Sequence, residues 1–167
     1  MCASEEPELS WQMSLNDENR TGDTRRSDRA DHRADGCRDL KPQNVLLDRA
    51  WKVKLCDFGL AGCTKSDAGT PAYMAPELLG AEGLYTDKVD VYAFGVLFNE
   101  MLARRPPFAG CDGNRALELA KGGQRPEIPV SVPGAAKALI QSCWHEDPAE
   151  RPSFRQVHAQ LMAIQAG

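Results

Sequence analysis

The sequence predicts an α+β fold that is mostly helical and contains one small β-hairpin. Two short runs, at 45–47 and 53–55, flank turn-like residues, which is the pattern of a hairpin. A long apolar segment at 86–103 and three shorter segments with helical spacing follow it. The chain has 167 residues, of which 42% are hydrophobic and 26% charged, so we expect one soluble globular domain.

The predicted hairpin would bring together two groups that suit a divalent cation. In antiparallel register, its strands place Asn44 across from Asp57 at the open end. An amide oxygen and a carboxylate that face one cleft form a site made of oxygen atoms only. Such a site suits Mg²⁺ carrying the phosphates of a nucleotide.

The loop that enters the hairpin carries Asp39 and Lys41, and the lysine supplies the cation that a transferring phosphoryl group needs. Residues 38–44, Arg-Asp-Leu-Lys-Pro-Gln-Asn, resemble the catalytic loop of the protein kinase family, and residues 57–59, Asp-Phe-Gly, resemble its magnesium-binding triplet. By this resemblance, Asp39 accepts the proton of the substrate hydroxyl and Lys41 steadies the γ-phosphate of ATP. The two residues at the open end of the hairpin would hold Mg²⁺.

A long helix is predicted over residues 86–103, with Thr86 or Asp87 as its N-cap and Pro106-Pro107 beyond its end. Apolar residues occupy nearly every face of this helix, which predicts a position inside the domain. The resemblance makes it the buried central helix of the kinase C-terminal lobe, with Asp90 bonded to the backbone of the catalytic loop. The alternative for Asp90 is a favourable position near the positive end of the helix dipole.

Three further helices are predicted to cover the long one. The first is capped by Asn114 and runs to Lys121, and the last opens with a capping box at 153–156. The predicted core residues of the second and third helices are Ala136, Leu139, Ile140, Cys143 and Trp144, followed by Phe154, Val157, Leu161 and Ile164.

Residues 60–77 resemble the activation segment of a kinase, which closes with Ala-Pro-Glu. Thr64 and Ser66 are candidate phosphosites, because a phosphate there could pair with Arg38 and order the loop. The alternative is that both are ordinary loop hydroxyls.

Two further pairs of residues follow from the resemblance. Thr70 with Lys41 resembles the arrangement of kinases specific for serine and threonine. Residues 143–152 resemble the end of tyrosine-kinase and tyrosine-kinase-like domains, where Arg151 would form a buried ion pair with Glu77. A solvated charge is the alternative for the arginine. The resemblance therefore indicates the tyrosine-kinase-like group, whose members mostly modify serine and threonine.

Residues 1–36 differ from the rest of the chain. They contain too few apolar side chains to offset the entropy of ordering, so we expect a disordered or mispredicted tail. They also lack the Gly-rich loop, the strand lysine and the helix glutamate that precede a kinase catalytic loop. The resemblance covers residues 37–167, as a partial kinase domain that corresponds to the C-terminal lobe. Cys37 stands where the family usually has histidine, which bears on loop positioning more than on the chemistry.

The functional prediction is a protein serine/threonine kinase that uses ATP and Mg²⁺ to modify a protein substrate. The chain by itself is expected to have weak kinase activity or none, and to be prone to aggregation. The alternative is a non-catalytic kinase-like fragment that binds a partner through the helix near 114–121. A net charge of -4 argues against a nucleic-acid surface, and no apolar run has the length to span a bilayer. The acidic start resembles no secretory signal, which predicts a cytoplasmic protein.

Overall fold

The computed structural model describes residues 39–56, 70–79 and 86–166. Within these residues, the regular elements are two short strands and four α-helices, with 3-10 turns between some of them. The strands are β1, Val45–Leu47, and β2, Val53–Leu55, and the helices are α1, Lys88–Ala103, α2, Gly113–Lys121, α3, Gly134–Cys143, and α4, Phe154–Ala166. This architecture confirms the predicted fold class. The tail predicted over residues 1–36 lies outside the described residues.

The two strands pair antiparallel in the predicted register. The opposed residues are Val45 and Leu55, Leu46 and Lys54, and Leu47 and Val53. Asp48 fixes the turn between the strands, because its Oδ1 accepts hydrogen bonds from the backbone N of Lys52 (3.0 Å) and of Ala50 (2.8 Å). These two bonds stabilise the ionised carboxylate and lower the pKa of Asp48.

The apolar side chains of the hairpin are only partly buried. Val45 packs against the main core, but Leu46 and Leu47 are about half exposed, at 51% and 52%. Leu46 and Leu47 are neighbours in β1 and point to opposite faces, so in the described residues both faces of this two-stranded sheet are partly open.

Helix α1 begins and ends with specific backbone contacts. At its start, the backbone N of Lys88 donates to Oγ1 of Thr86 (3.3 Å), whereas the side chain of Asp87 makes no capping bond. At its end, Arg104 adopts a left-handed conformation with φ 52° and donates its backbone N to the carbonyl of Glu100 (2.8 Å). This closing bond satisfies a carbonyl that the last turn would otherwise leave unpaired.

The burial of α1 confirms the predicted central helix except in its last turn. Val91 and Val96 are completely buried, but Met101 and Leu102 are 46% and 37% exposed. The reason is length, since the 16 residues of α1 extend about 24 Å while the 10 residues of α3 extend about 15 Å. None of the helices in the described ranges is long and apolar enough to cross a membrane.

Helix α3 packs closely against α1 at a glycine. A Cβ atom placed on Gly95 would lie 2.8 Å from Cβ of Cys143, a separation that real Cβ atoms do not reach. Cys143 is completely buried, and this burial raises the pKa of its thiol to about 12. The absence of a side chain on Gly95 is therefore what allows the two helices to approach.

Helix α4 begins with the predicted capping box. The backbone N of Ser153 donates to Oε1 of Gln156 (2.8 Å), and the backbone N of Gln156 donates to Oγ of Ser153 (3.4 Å). Val157 is buried as predicted, at 2% exposure. Phe154 was predicted to be a core residue as well, and this prediction is wrong, because its ring is 37% exposed and meets Phe94 only edge-on.

Helix α2 begins two residues earlier than the sequence predicts. Its N-cap is Asp112 rather than Asn114, since Oδ1 of Asp112 accepts from the backbone N of Arg115 (2.8 Å). Asp112 has the extended backbone of an N-cap, whereas Asn114 is already helical. The first residue of α2, Gly113, faces Pro71 so closely that an added Cβ would lie 3.2 Å from the proline Cγ.

The approach of α1 and α3 can be tested with Gly95→Ala. The added methyl group would overlap Cβ of Cys143, so we expect the free energy of unfolding to fall by about 1–3 kcal/mol. The measurement is denaturant unfolding followed by circular dichroism. Gly134→Ala is the matched control, because no atom lies within 4 Å of its added Cβ. Equal stability of the two variants would contradict the close packing described above.

Candidate active site

The loop that precedes β1 is held at both of its ends. A 3-10 turn, Pro42–Asn44, leads directly into the strand, and the fixed φ of its first residue suits that position. Asn44 is 6% exposed, and its carbonyl accepts a hydrogen bond from the backbone N of Cys56 (2.9 Å). The loop is therefore tied to Cys56, the residue that follows β2.

Asp39 is the centre of a network of hydrogen bonds. Nζ of Lys41 lies 2.6 Å from Oδ2 of Asp39. The side-chain nitrogen of Asn44 donates to the Asp39 carbonyl (2.8 Å) and to Oδ2 (3.1 Å). The backbone N of Thr70 donates to Oδ1 (3.1 Å). Both carboxylate oxygens are thus engaged, which fixes the orientation of a buried negative charge.

The hydroxyl of Thr70 closes a triangle with the two charged residues. It accepts a hydrogen bond from Nζ of Lys41 (2.9 Å) and donates to Oδ1 of Asp39 (3.3 Å). Thr70 lies 31 residues beyond Asp39 in the sequence, so only the tertiary fold brings the three together. The arrangement places a cation, a carboxylate acceptor and a hydroxyl within hydrogen-bonding distance of one another.

The residues that could hold a metal ion are only partly described. The amide nitrogen of Asn44 is committed to Asp39, which leaves its amide oxygen as the atom that a cation could use. An oxygen donor of this kind fits Mg²⁺. In the described parts of the chain, no group of three or more His, Cys, Asp or Glu side chains could hold a metal ion. The predicted partner, Asp57, lies outside those parts, so the paired site stays a prediction.

Arg151 and Glu77 form a buried ion pair with two parallel hydrogen bonds. Nη1 of Arg151 lies 2.6 Å from Oε1 of Glu77, and Nη2 lies 2.9 Å from Oε2. The guanidinium also donates to the carbonyls of Lys88 (3.0 Å) and His145 (2.9 Å), and it lies 5.0 Å from the centre of the Tyr92 ring. The side chain of Arg151 has no access to solvent, so these contacts replace the hydrogen bonds to water that the guanidinium loses on folding.

The sequence did not predict a second contact, between Tyr73 and Glu100. The Tyr73 hydroxyl donates to Oε2 of Glu100 (2.6 Å), which joins the turn Pro71–Tyr73 to α1. Burial raises the pKa of Tyr73, and the neighbouring carboxylate raises it further. The available signal was an acidic residue within a long apolar helix, since such a residue needs a polar partner.

The remaining predicted residues are not all described. Arg38, Thr64 and Ser66 lie outside the described residues, so the phosphosite hypothesis stays a prediction. Asp90 is 6% exposed and has an interaction partner, and its predicted bond to the backbone of the catalytic loop also stays a prediction.

Arg151→Ala tests how much the buried ion pair stabilises the fold. Removing the arginine leaves the partly buried carboxylate of Glu77 without its partner and empties a completely buried site, so we expect the free energy of unfolding to fall by about 3 kcal/mol. Arg115→Ala is the matched control, because its pair with Glu118 is exposed at 60% and 67% and contributes about 1 kcal/mol or less. If Arg151→Ala is too unstable to measure, Glu77→Gln tests the same pair. A fall in the free energy of unfolding as small as that of Arg115→Ala would show that the buried pair does not stabilise the fold in this way.

Comparison with known proteins gives a consistent match. A family model for the protein kinase domain matches residues 36–162. A probable serine/threonine-protein kinase of Dictyostelium discoideum is 45% identical over 128 residues, which cover 72% of this chain and 14% of that protein. A putative serine/threonine-protein kinase/receptor of Acanthamoeba polyphaga mimivirus is 39% identical over 125 residues, covering 72% of this chain and 8% of that protein.

A dual specificity protein kinase of Dictyostelium discoideum is 39% identical over 136 residues, or 77% of this chain and 10% of that protein. The chain therefore spans only a small part of the length of these relatives. The family model nevertheless covers most of the chain, including Asp39, Lys41, Asn44 and Thr70. The chain belongs to the protein kinase domain family.

Proposed function

We propose that this chain carries the phosphoryl-transfer site of a protein serine/threonine kinase. The observation that supports the proposal most directly is the triangle of Asp39, Lys41 and Thr70, with separations of 2.6, 2.9 and 3.3 Å. The reaction transfers the γ-phosphoryl group of ATP to a serine or threonine hydroxyl of a protein. The kinase names of the relatives support the same reaction class.

Asp39 is proposed to accept the proton of the substrate hydroxyl. Its Oδ1 already accepts a hydrogen bond from the hydroxyl of Thr70 (3.3 Å), so a hydroxyl group can approach this oxygen. That bond is long, and a substrate hydroxyl could replace it at small cost while Thr70 keeps its bond to Lys41. A general base positioned in this way increases a reaction rate by a factor of about 10²–10⁴.

Lys41 is proposed to stabilise the negative charge of the transferring phosphoryl group. Its side chain is 21% exposed, so the ammonium group can meet a ligand while it remains bonded to Asp39. Bound Mg²⁺–ATP supplies the phosphoryl group and neutralises its phosphate charges. The oxygen of Asn44 would hold the metal together with Asp57.

The preference for serine and threonine is proposed from the bond between Thr70 and Lys41. We also propose membership of the tyrosine-kinase-like group, on the pattern of residues 143–152. The dual specificity relative makes tyrosine substrates the alternative to be tested. A cytoplasmic location belongs to the same proposal, because ATP is the donor and Cys56, Cys111 and Cys143 are free thiols.

A chimera tests the proposed chemistry. Residues 39–166 would replace the matching segment of the probable Dictyostelium kinase that is 45% identical, so that the remainder of that protein surrounds them, and the unaltered relative is assayed beside the chimera. We expect the chimera to phosphorylate serine and threonine peptides from radiolabelled ATP. Asp39→Asn should lower the rate by about 10²–10⁴, because the amide cannot accept the proton.

The controls of this experiment separate chemistry from folding. Glu118→Gln makes the same carboxyl-to-amide change at an exposed position and should leave the rate unchanged. Thr70→Ser should keep both hydroxyl bonds, whereas Thr70→Val should lower the rate about tenfold by removing them. A folded but inactive chimera would contradict the proposal and favour the alternative, a non-catalytic kinase-like fragment that binds a partner.

A further inference from the structure

The first residue of α2 lies against the turn that follows Thr70. A Cβ atom placed on Gly113 would meet three atoms of Pro71, at 3.2, 3.5 and 3.7 Å. Pro71 comes directly after Thr70, whose hydroxyl bonds to Asp39 and Lys41. The contact with α2 is therefore only one residue away from the candidate active site.

The backbone does not require a glycine at the start of α2. Gly113 has a helical backbone, which any residue can adopt. Gly134 has the same place in α3, as the first residue of that helix, and a Cβ added there would have no atom within 4 Å. The feature that distinguishes Gly113 is the close approach of Pro71.

Two buried alanines hold α2 in its place. Ala116 and Ala120 share the face of α2 that begins at Gly113, and they are 2% and 3% exposed. The helix packs on two turns, Pro71–Tyr73 and Pro76–Leu79. To move away from the first turn, α2 would have to expose both alanines to water. The turn rather than the helix is therefore the part that yields to a larger side chain at position 113.

The hydrogen bonds of Thr70 tolerate little displacement. Its backbone N and its hydroxyl both donate to Oδ1 of Asp39, at 3.1 and 3.3 Å, and its hydroxyl accepts from Nζ of Lys41. A Cβ on Gly113 would displace Pro71 by a few tenths of an ångström. The bond from the hydroxyl to Asp39 is already long, so the same displacement of Thr70 would break it.

We propose that Gly113 is a positioning residue of the phosphoryl-transfer site. By leaving room for Pro71, it allows α2 to set the position of the Thr70 hydroxyl beside Asp39. The inference rests on the proposed function, which assigns Thr70 to the site. It extends that function by making α2, a helix outside the catalytic loop, part of the geometry of the site.

Amide hydrogen exchange in the full 167-residue chain tests the contact without requiring activity. In Gly113→Ala, exchange at Thr70 should become faster than in the wild type by about threefold to tenfold, the equivalent of one weakened hydrogen bond. Exchange in α3 is the internal reference and should stay unchanged. Gly134→Ala is the matched control, because it makes the same replacement at the same helical position and should not affect Thr70.

Pro71→Ala should rescue the effect of Gly113→Ala. It removes Cγ, the proline atom nearest to the added methyl group, and leaves Cβ at 3.5 Å, an ordinary contact distance. Exchange at Thr70 in the double variant should therefore differ from that in Pro71→Ala by less than about twofold. Such coupling is characteristic of residues in contact.

The chimera described above measures the effect on the reaction. Gly113→Ala should lower kcat by about threefold to tenfold, because a misplacement of about 1 Å costs about 10² in rate and this displacement is smaller. The KM for ATP should change little, since the displaced group is Thr70 rather than a residue assigned to the metal or the phosphates. Gly134→Ala should leave both constants unchanged.

Three results would overturn the inference. One is exchange at Thr70 that is as slow in Gly113→Ala as in Gly134→Ala. Another is the same increase in exchange with and without Pro71→Ala, which would place the effect within α2. The third is an unchanged kcat in a Gly113→Ala chimera. A chimera that is inactive without this replacement contradicts the proposed function instead, and the exchange measurements still decide whether α2 positions Thr70.

Discussion

The guanidinium of Arg151 joins parts of the chain that lie far apart in sequence. Its partner Glu77 lies 74 residues earlier, in the turn Pro76–Leu79. The same guanidinium binds the carbonyl of Lys88 at the start of α1 and lies against the ring of Tyr92. A charge without access to water needs all of these contacts, so they either form together or the charge cannot be buried. The pair therefore fixes the turn against α1.

The ion pair between Arg151 and Glu77 also restricts the candidate active site, because only a short length of chain separates Glu77 from Thr70. The turn Pro71–Tyr73 is separated from the one that carries Glu77 by only two residues. Tyr73 is also bonded to Glu100 of α1, so the segment is held at two points. Thr70, immediately before the first turn, then meets Asp39 across 31 residues of sequence. The position of the Thr70 hydroxyl thus depends on packing as well as on the catalytic loop.

Most features that depend on residues close together in the sequence were predicted correctly. The hairpin register and the capping box of α4 follow from alternation and from spacing, and both are present. The N-cap of α2 was assigned wrongly because Asp112 and Asn114 are both good caps, and only the backbone conformation chooses between them. The bond between Tyr73 and Glu100 could not be predicted, because it depends on how a turn and a helix pack together.

The central claim is that the buried ion pair holds Thr70 against Asp39, and amide hydrogen exchange at Thr70 tests it most directly. The backbone N of Thr70 donates to Oδ1 of Asp39 (3.1 Å), so its exchange reports whether this contact opens. In Glu77→Gln, exchange at Thr70 should become faster by a larger factor than exchange in α3, with Glu118→Gln as the unchanged control. If Thr70 stays as protected as in the wild type while α3 becomes less protected, the ion pair stabilises the core without positioning the site.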